Sequence, residues 1–378
     1  MLNIVTFRVL VVPDKFKGTL TARQAAMAIA RGWLEVRPAD AIETLPMADG
    51  GDGFGEILGQ LLNAQPRTCA TVDAAGRSRV AAWWFEPESK SAVIETAEVN
   101  GLSLFPRGQF HPFQLDTFGL GALLREAERA GATRVIAGVG GSATNDGGFG
   151  VARALGFRFR DASGAELRSW TELERLERID APMQSLAFES LTVAVDVANP
   201  LLGANGATVV YGPQKGLLIS DLPKAEACLL RLAEVVRAER GEDFALEPAS
   251  GAAGGLGFGL RAFCGGTFAS GGEIFATLSR LDERIRAADL VITAEGRFDE
   301  QTLMGKGVGV VADAAARAGK ACYCLAGAVQ IDAAHVRWPR FRAFPIVPEV
   351  ADLADATANA DECLSRLAAH VAAVENSR

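Results

Sequence analysis

The chain has 378 residues, 49% of them hydrophobic, and its formal net charge at pH 7 is -8. A chain of this length favours about two domains, each with a core of its own. The acidic balance, and the lack of a basic stripe interleaved with aromatic residues, exclude a typical nucleic-acid partner.

The cysteines and histidines form no pattern that binds zinc or builds a disulfide framework. None of the six cysteines belongs to a CxxC pair, and the chain has only three histidines. Unpaired thiols fit a reducing compartment, so we expect a cytoplasmic protein. The first apolar run, "MLNIVTFRVLVVPD", has no basic leader, and no apolar run reaches about 18 residues. We therefore expect a core strand at the start and no membrane partner.

The first predicted unit is a strand followed by a helix. "FRVLVVPD" (7–14) predicts a buried strand that ends in the loop "KFKGT". Apolar residues at helical spacing predict a helix over 20–34, with Thr19 or Thr21 as its N-cap. The loop lies at the C-terminal end of the strand, where open α/β sheets bind their ligands.

The middle of the chain has a different pattern. Residues 80–99 alternate like an antiparallel pair of strands, and 119–132 predict an amphipathic helix. A further strand is predicted over 134–141. The segment 164–190 is rich in charge, so we expect it on the surface.

The last part repeats the design of the first. "LVITA" (290–294) predicts a strand, a polar loop follows, and 309–318 predict a helix. "ACYCLAGAV" (321–329) predicts another buried strand. Strands that alternate with helices favour an α/β fold with parallel sheets.

The two ends of the chain are therefore predicted to share one sheet. We expect a Rossmann-like α/β domain built from residues 1–66 and 285–378. A second α/β domain, residues 67–284, is expected to be inserted between them.

A glycine-rich loop follows the predicted strand in "VIAGVGGSATNDGG" (135–148). Gly138, Gly140 and Ala143 satisfy the loose form of a dinucleotide fingerprint, but a GxxxxGK[ST] phosphate loop is absent. Asp146 would repel a bare pyrophosphate unless a cation lay between them. A tight turn that requires glycine is the alternative.

Two other loops carry charge after apolar segments. In "LPMADGGDGFGE" (45–56), Asp49 and Asp52 favour either a hydrated Mg²⁺ or two Asp-Gly turns. In "PDKFKGT", Lys15 and Lys17 are either solvated or neutralise a phosphoryl or carboxylate group.

Further polar side chains follow apolar runs elsewhere in the chain. They are Asp196, Asn199, Lys215, Glu295, Arg297, Asp299 and Lys306. Carboxylates, lysines and glycine-built loops without histidine clusters suit phosphoryl transfer, in which the protein mainly positions the reactants and stabilises charge.

Taken together, the loops resemble the glycerate kinases that lack a P-loop. The resemblance runs in order through "VVPDKFKGTL", "LPMADGGDG", "GVGGSATNDGG", "VDVANPLLGANGA", "VYGPQKG", "GAAGGLGFGL" and "LVITAEGRFDEQTLMGKGV". It implies Mg-ATP-dependent phosphorylation of D-glycerate, on the 2-hydroxyl, in a cleft between the two domains. It implies ATP and Mg²⁺ as cofactors and a small-molecule substrate.

Within this resemblance we give the polar residues hypothetical roles. The catalytic candidates are Asp49, Asp196, Lys17 and Lys306. The candidates for binding substrate are Lys15, Arg297, Asn199 and Asp299. The candidates for binding the nucleotide are Gly140, Gly141, Ser142, Thr144, Asn145, Asp146 and Lys215, with a cation or a ribose hydroxyl expected beside Asp146. The candidate metal ligands are Asp49, Asp52, Asp196 and Glu295.

The sequence departs from the family pattern at Lys15, Asp52, Phe54 and Leu120, and "MGKGVGVVA" lacks the usual proline. We expect Lys15 and Phe54 to lie at a pocket edge and to influence which hydroxy acid fits. Three alternatives stay open at this point: a kinase that makes 3-phosphoglycerate, a sugar-acid sensor without turnover, and an NAD-dependent dehydrogenase.

Overall fold

The structure is a computed structural model that describes residues 6–303, 307–331 and 335–376. The strands in these residues, numbered β1 to β13 in chain order, are Arg8–Pro13, Ala41–Thr44, Gln65–Val72, Ser78–Glu86, Ser91–Glu95, Arg134–Gly138, Arg158–Asp161, Leu176–Asp180, Ser190–Val195, Thr267–Ser270, Leu290–Phe298, Ala321–Val329 and Phe341–Val347.

The α-helices in the same residues are numbered α1 to α14. They are Ala22–Val36, Phe54–Leu61, Ala97–Asn100, Phe118–Arg129, Phe149–Ala154, Ala207–Lys215, Leu222–Arg240, Ala252–Cys264, Gly271–Leu278, Leu281–Ala287, Glu300–Leu303, Val308–Arg317, Leu353–Ala358 and Ala360–Asn376. None of the helices in the described part of the chain is long and apolar enough to cross a membrane.

One compact unit consists of residues 1–48 and 272–378. Its five strands are parallel and lie in the order β13, β12, β11, β1, β2. Val9 and Val11 of β1 pack in a core with helices α1 and α14, and the alternating Leu10 and Val12 are also buried. A parallel sheet that is covered in this way produces the continuous apolar runs seen in the sequence.

Helix α1 shows how the local sequence builds this unit. The hydroxyl of Thr21 accepts a hydrogen bond from the backbone N–H of Gln24, and the Gln24 side chain accepts one from the N–H of Thr21. This capping box satisfies two donors that the first turn leaves without partners. Of the two predicted N-caps, Thr21 is the one that is used.

The second compact unit consists of residues 49–271. Its six-stranded sheet has the order β10, β9, β6, β5, β4, β3. Strands β3, β4 and β5 form an antiparallel meander, and β5, β6, β9 and β10 are parallel. The parallel strands end at one edge of the sheet, with Glu95, Gly138, Val195 and Ser270 as their last residues.

The α/β class and the parallel sheet made from both chain ends are confirmed. The compact units nevertheless divide the chain at residues 48 and 271, whereas the predicted domains divide it at 66 and 284. Helix α2 accounts for the first difference, because it packs on the sheet of the 49–271 unit. A Cβ on Gly55 would lie 2.0 Å from Cζ3 of Trp84 in β4.

The expectation that 164–190 lies wholly on the surface is wrong. Trp170 and Leu173 in a short 3₁₀ helix, and Leu176 at the start of β8, are at most 1% exposed. Apolar residues three apart share one face of such a helix, so they enter the core while the charged residues between them face water. The indole N–H of Trp170 donates to the carbonyl of Leu115 at 3.0 Å.

Candidate active site

Two loops at the strand ends of the 49–271 unit touch through their backbones. We call residues 49–53 the Asp49 loop and residues 139–147 the Gly140 loop. The N–H of Gly140 donates to the carbonyl of Gly50 at 2.8 Å, and a Cβ on Gly140 would lie 2.6 Å from Cα of Gly51. Glycine is required here because the two chains leave no room for a side chain.

A second close contact joins Gly138, the last residue of β6, to Phe54, the first residue of α2. A Cβ on Gly138 would lie 2.4 Å from Cδ1 of Phe54, whose side chain is fully buried. Phe54 therefore belongs to the core, and its predicted place at a pocket edge is wrong. Leu120, another departure from the family pattern, is also fully buried.

The backbone of Asp49 lies beside the end of β10, and Asp196 directly follows β9, the strand paired with β10. Oδ1 of Asp196 accepts a hydrogen bond from Oγ of Ser270 at 3.1 Å. A Cβ on Gly271, the next residue, would lie 2.3 Å from the carbonyl oxygen of Asp49. Asp49 and Asp196 are both half-buried. Mg²⁺ binds through one or two carboxylates and takes its other ligands from water and phosphate.

Asp52 lies at the other end of the Asp49 loop and is exposed. A Cβ on Gly141 would lie 2.7 Å from its Oδ1, and Gly141 has a φ of +74°. The side chain of Asp52 therefore lies over the backbone of the Gly140 loop.

The polar side chains of the Gly140 loop turn inward. Oγ of Ser142 lies 3.0 Å from Oγ1 of Thr144 and accepts the N–H of Thr144. Nδ2 of Asn145 donates to Oγ1 of Thr208 at 3.0 Å. Thr144 and Asn145 are fully buried, and Ser142 nearly so. The backbone N–H of Gly140, a candidate for binding the nucleotide, donates to the carbonyl of Gly50.

Asp146 is surrounded by protein donors. Its carboxylate accepts hydrogen bonds from the N–H and Oγ1 of Thr117, and from the N–H groups of Gly148 and Gly150. These groups occupy the place where we expected a cation or a ribose hydroxyl. Complete burial raises the pKa of Asp146, and the hydrogen bonds oppose that rise. The side chain ties the Gly140 loop to the first turn of α5.

Lys215 reaches the same loop from α6. Its ammonium donates to the carbonyl of Thr144 at 2.6 Å, and the residue is 8% exposed. Burial lowers its pKa to about 7, while the charge of Asp146 acts in the opposite direction. Gly254, at φ +72°, is required beside it, because a Cβ there would lie 2.0 Å from the Thr144 carbonyl.

The side chain of Asn199 is engaged within its own loop. Its Nδ2 donates to the carbonyl of Asn205 at 2.8 Å, and its Oδ1 accepts the hydroxyl of Tyr211 at 2.6 Å. Asn199 therefore shapes the loop after β9, and its contact with substrate stays a prediction.

Glu95 is a site residue that the sequence analysis did not identify. Its carboxylate accepts the N–H of Gly53 at 3.1 Å and the N–H of Gly55 at 2.9 Å. Burial raises its pKa to about 7, with smaller contributions from Glu98 and Asp52. The sequence offers one signal for Glu95, which is its position in "SAVIETAEV" at the end of a predicted strand.

The unit built from the chain ends carries a separate polar cluster. The side chain of Thr302 donates to Oε1 of Glu295 at 2.8 Å. Burial, with the charges of Asp14 and Asp299, raises the pKa of Glu295 to about 8. Asp14 also accepts the backbone N–H of Lys15 at 2.7 Å. Asp14 was not among the predicted site residues.

The predicted basic residues of this unit differ in placement. Lys15 is half-buried, and Lys17 and Arg297 are exposed. Glu295 and Arg297 belong to β11, which continues through the segment that we expected to be a loop. Lys306 lies outside the described residues.

The predicted metal ligands are divided between the two compact units. Asp49, Asp52 and Asp196 belong to the 49–271 unit, and Glu295 belongs to the other. Among residues 6–303, 307–331 and 335–376, no group of three or more histidine, cysteine or acidic side chains could hold a metal ion. Any Mg²⁺ here would depend on phosphate oxygens and water for most of its ligands.

Parallel strands that alternate with helices define an α/β protein, a class that binds ligands at the carboxyl ends of its strands. Comparison with known proteins gives the family. The glycerate kinase family model matches residues 9–376. The chain therefore belongs to the glycerate kinase family and is an enzyme of that family.

Individual relatives agree over nearly the whole chain. A glycerate kinase of Halalkalibacterium halodurans is 37% identical over 372 residues, which cover 97% of this chain and 98% of that protein. A glycerate 2-kinase of Escherichia coli is 35% identical over 370 residues, with 97% of each chain covered. A solved structure of a Salmonella typhimurium LT2 protein assigned as glycerate kinase 2 gives a TM-score of 0.80 at 34% identity, and the match covers 99% of both chains.

Proposed function

We propose that this enzyme transfers the γ-phosphoryl group of Mg-ATP to the 2-hydroxyl of D-glycerate, giving 2-phosphoglycerate and ADP. The observation that carries the choice of hydroxyl is the 35% identity to the E. coli glycerate 2-kinase over 97% of both chains. The geometry supports a phosphoryl transfer because glycine loops, carboxylates and a lysine gather at one sheet edge.

We assign the nucleotide phosphates to the Gly140 loop. Its glycines let backbone groups approach an anion closely, and the side chain of Asp52, a candidate metal ligand, lies over Gly141. The polar residues of this loop that are buried shape it from within, together with Lys215 of α6; they are Thr144, Asn145 and Asp146.

Asp49 and Asp196 are assigned to Mg²⁺ and to the substrate hydroxyl. Asp49 lies beside the end of β10 and Asp196 directly follows the neighbouring β9. In this proposal one of the two carboxylates accepts the hydroxyl proton, and the other contributes to holding the cation. Bound Mg²⁺ would neutralise charge on the transferring phosphoryl group. Asp52 is the further metal candidate in this unit.

The unit built from the chain ends supplies the positive charge for the glycerate carboxylate in this proposal. Lys15, Lys17 and Arg297 are the candidates in the described residues, and Lys306 is a further one. Glu295 and Asp299 stay candidates for the metal and the substrate, respectively. We also propose, as the resemblance implies, that the reaction takes place in a cleft between the two domains. The six free cysteines support a reducing, cytoplasmic setting.

Phosphorus NMR of the purified enzyme with Mg-ATP and D-glycerate tests the reaction and its position. We expect a 2-phosphoglycerate resonance that grows in step with ADP and disappears when EDTA removes Mg²⁺. A 3-phosphoglycerate resonance would keep the kinase and change the hydroxyl. L-glycerate and tartronate serve as substrate controls. If none of these acids yields a phosphoester, the proposed substrate is wrong.

A further inference from the structure

Glu95 occupies a position between the two loops of the site. It is the last residue of β5 and is 7% exposed. In the ladder between β5 and β6, Glu95 is paired with Gly138, and the N–H of Thr96 donates to the Gly138 carbonyl at 2.9 Å. Its backbone is therefore fixed to the strand that leads into the Gly140 loop.

The side chain of Glu95 holds the other loop. One carboxylate oxygen accepts the N–H of Gly53, which ends the Asp49 loop, and the other accepts the N–H of Gly55 in the first turn of α2. Gly53 is the N-cap of that helix and has no side chain to cap it. A remote carboxylate thus takes the capping role and also meets the positive end of the helix dipole.

We propose that Glu95 is a positioning residue that fixes the Asp49 loop against the Gly140 loop, and so orients the carboxylates of Asp49 and Asp52. The consequence for turnover rests on the proposed function, whereas the effect on the loop does not. Hydrogen bonds from backbone N–H groups to a buried carboxylate are among the stronger ones, and the N-cap residue Gly53 makes no side-chain cap of its own. Removing the carboxylate leaves two N–H groups without their acceptor.

The test compares Glu95→Gln and Glu95→Ala with a matched control, Glu86→Gln. Glu86, the last residue of β4, also receives two backbone N–H groups, from Glu88 and Ser89, but it is paired with Ser91, at the opposite end of β5 from Glu95. For each purified variant, hydrogen exchange is followed by mass spectrometry on peptides that cover residues 49–55. Thermal unfolding, and kcat and KM for ATP and D-glycerate, are measured on the same samples.

We expect exchange at residues 49–55 to accelerate about tenfold or more in Glu95→Ala, while peptides from the rest of the chain keep the wild-type rate. Glu95→Gln retains one acceptor oxygen, so its acceleration is smaller. In Glu95→Ala, kcat should fall about tenfold or more, with both KM values within about threefold of wild type, because orientation acts on the transition state. Glu86→Gln should match wild type in each measurement.

Unchanged exchange at residues 49–55 in Glu95→Ala would overturn the proposal. Faster exchange over the whole chain, with a lower Tm and unchanged kcat, would also overturn it, because Glu95 would then serve general stability. If the wild-type enzyme phosphorylates none of the acids tested, the proposed function is wrong, but the proposed role of Glu95 in the loop is not affected. The exchange measurement still decides whether Glu95 holds the loop.

Discussion

At the scale of single residues, burial separates polar side chains that share a motif. Asp146 and Thr144 are fully buried and hydrogen-bonded to protein groups, whereas Asp49 and Asp196 are half-buried. A side chain whose oxygens already receive several protein donors has little capacity left for a ligand. Thr144 and Asp146 therefore shape the loop, and Asp49 and Asp196 stay the candidates for chemistry.

This distinction predicts the effect of removing one charge at a time. In Asp49→Asn or Asp196→Asn, turnover should fall about 10²- to 10⁴-fold, as expected for loss of a general base or metal ligand, while the Tm changes little. Steady-state kinetics and thermal unfolding measure the two effects. Glu189→Gln is the control, because its exposed side chain pairs only loosely with Arg134, at 3.7 Å. Full turnover in both aspartate variants would remove these residues from the mechanism.

At the scale of elements, strand ends meet through glycines that exclude a side chain. The Gly140 loop and the Asp49 loop approach closely enough that a Cβ on Gly140 would enter the backbone of Gly51. The φ of Gly140 is not in the left-handed region, so alanine would adopt its backbone conformation without strain there. Space alone makes glycine necessary at this position.

Gly140→Ala should therefore separate the two loops. We expect a loss of about 1–3 kcal/mol in the free energy of unfolding, typical of overpacking, and turnover at least about tenfold lower. Denaturant unfolding and steady-state kinetics provide the measurements. Gly296→Ala is the stability control, since its Cβ would lie 3.6 Å from the nearest atom, an ordinary contact. Equal stability in the two variants would contradict the space argument.

Much of the element order could be predicted from the sequence because buried parallel strands are continuous apolar runs. Residues 321–329 are an example, since the predicted and observed strands coincide. The hydrogen bonds of Glu95 could not be predicted, because they join residues about 40 positions apart through a pairing of loops that leaves no periodic pattern. The strand position of Arg297 was missed because polar residues at the end of β11 have the composition of a loop.

At the scale of the whole molecule, each compact unit has its own sheet and its own hydrophobic core. The family match extends over residues 9–376, so both units belong to the same enzyme. The site of the 49–271 unit contains a buried lysine, and this links the stability of the chain to pH.

The sign of this linkage follows from the pKa of Lys215. In the folded protein burial lowers it to about 7, from an ordinary value of 10.5 that applies to the unfolded chain. Between these two values the unfolded chain binds more protons than the folded protein does, so stability rises with pH across that window. Below about pH 7 the lysine is charged in both states, and the folded protein carries the full cost of burying the charge.

Lys215→Met should remove this dependence. We expect the free energy of unfolding of the wild type, relative to the variant, to rise by up to about 1.4 kcal/mol for each pH unit between pH 7 and 10. Denaturant unfolding at several pH values measures it, and groups common to both proteins cancel in the difference. Lys224→Met, at an exposed lysine, should give a curve parallel to that of the wild type. If the curve for Lys215→Met is also parallel to that of the wild type, Lys215 keeps its proton in the folded protein throughout this range. The charged form would then be stabilised by more than the carbonyl of Thr144 and the charge of Asp146.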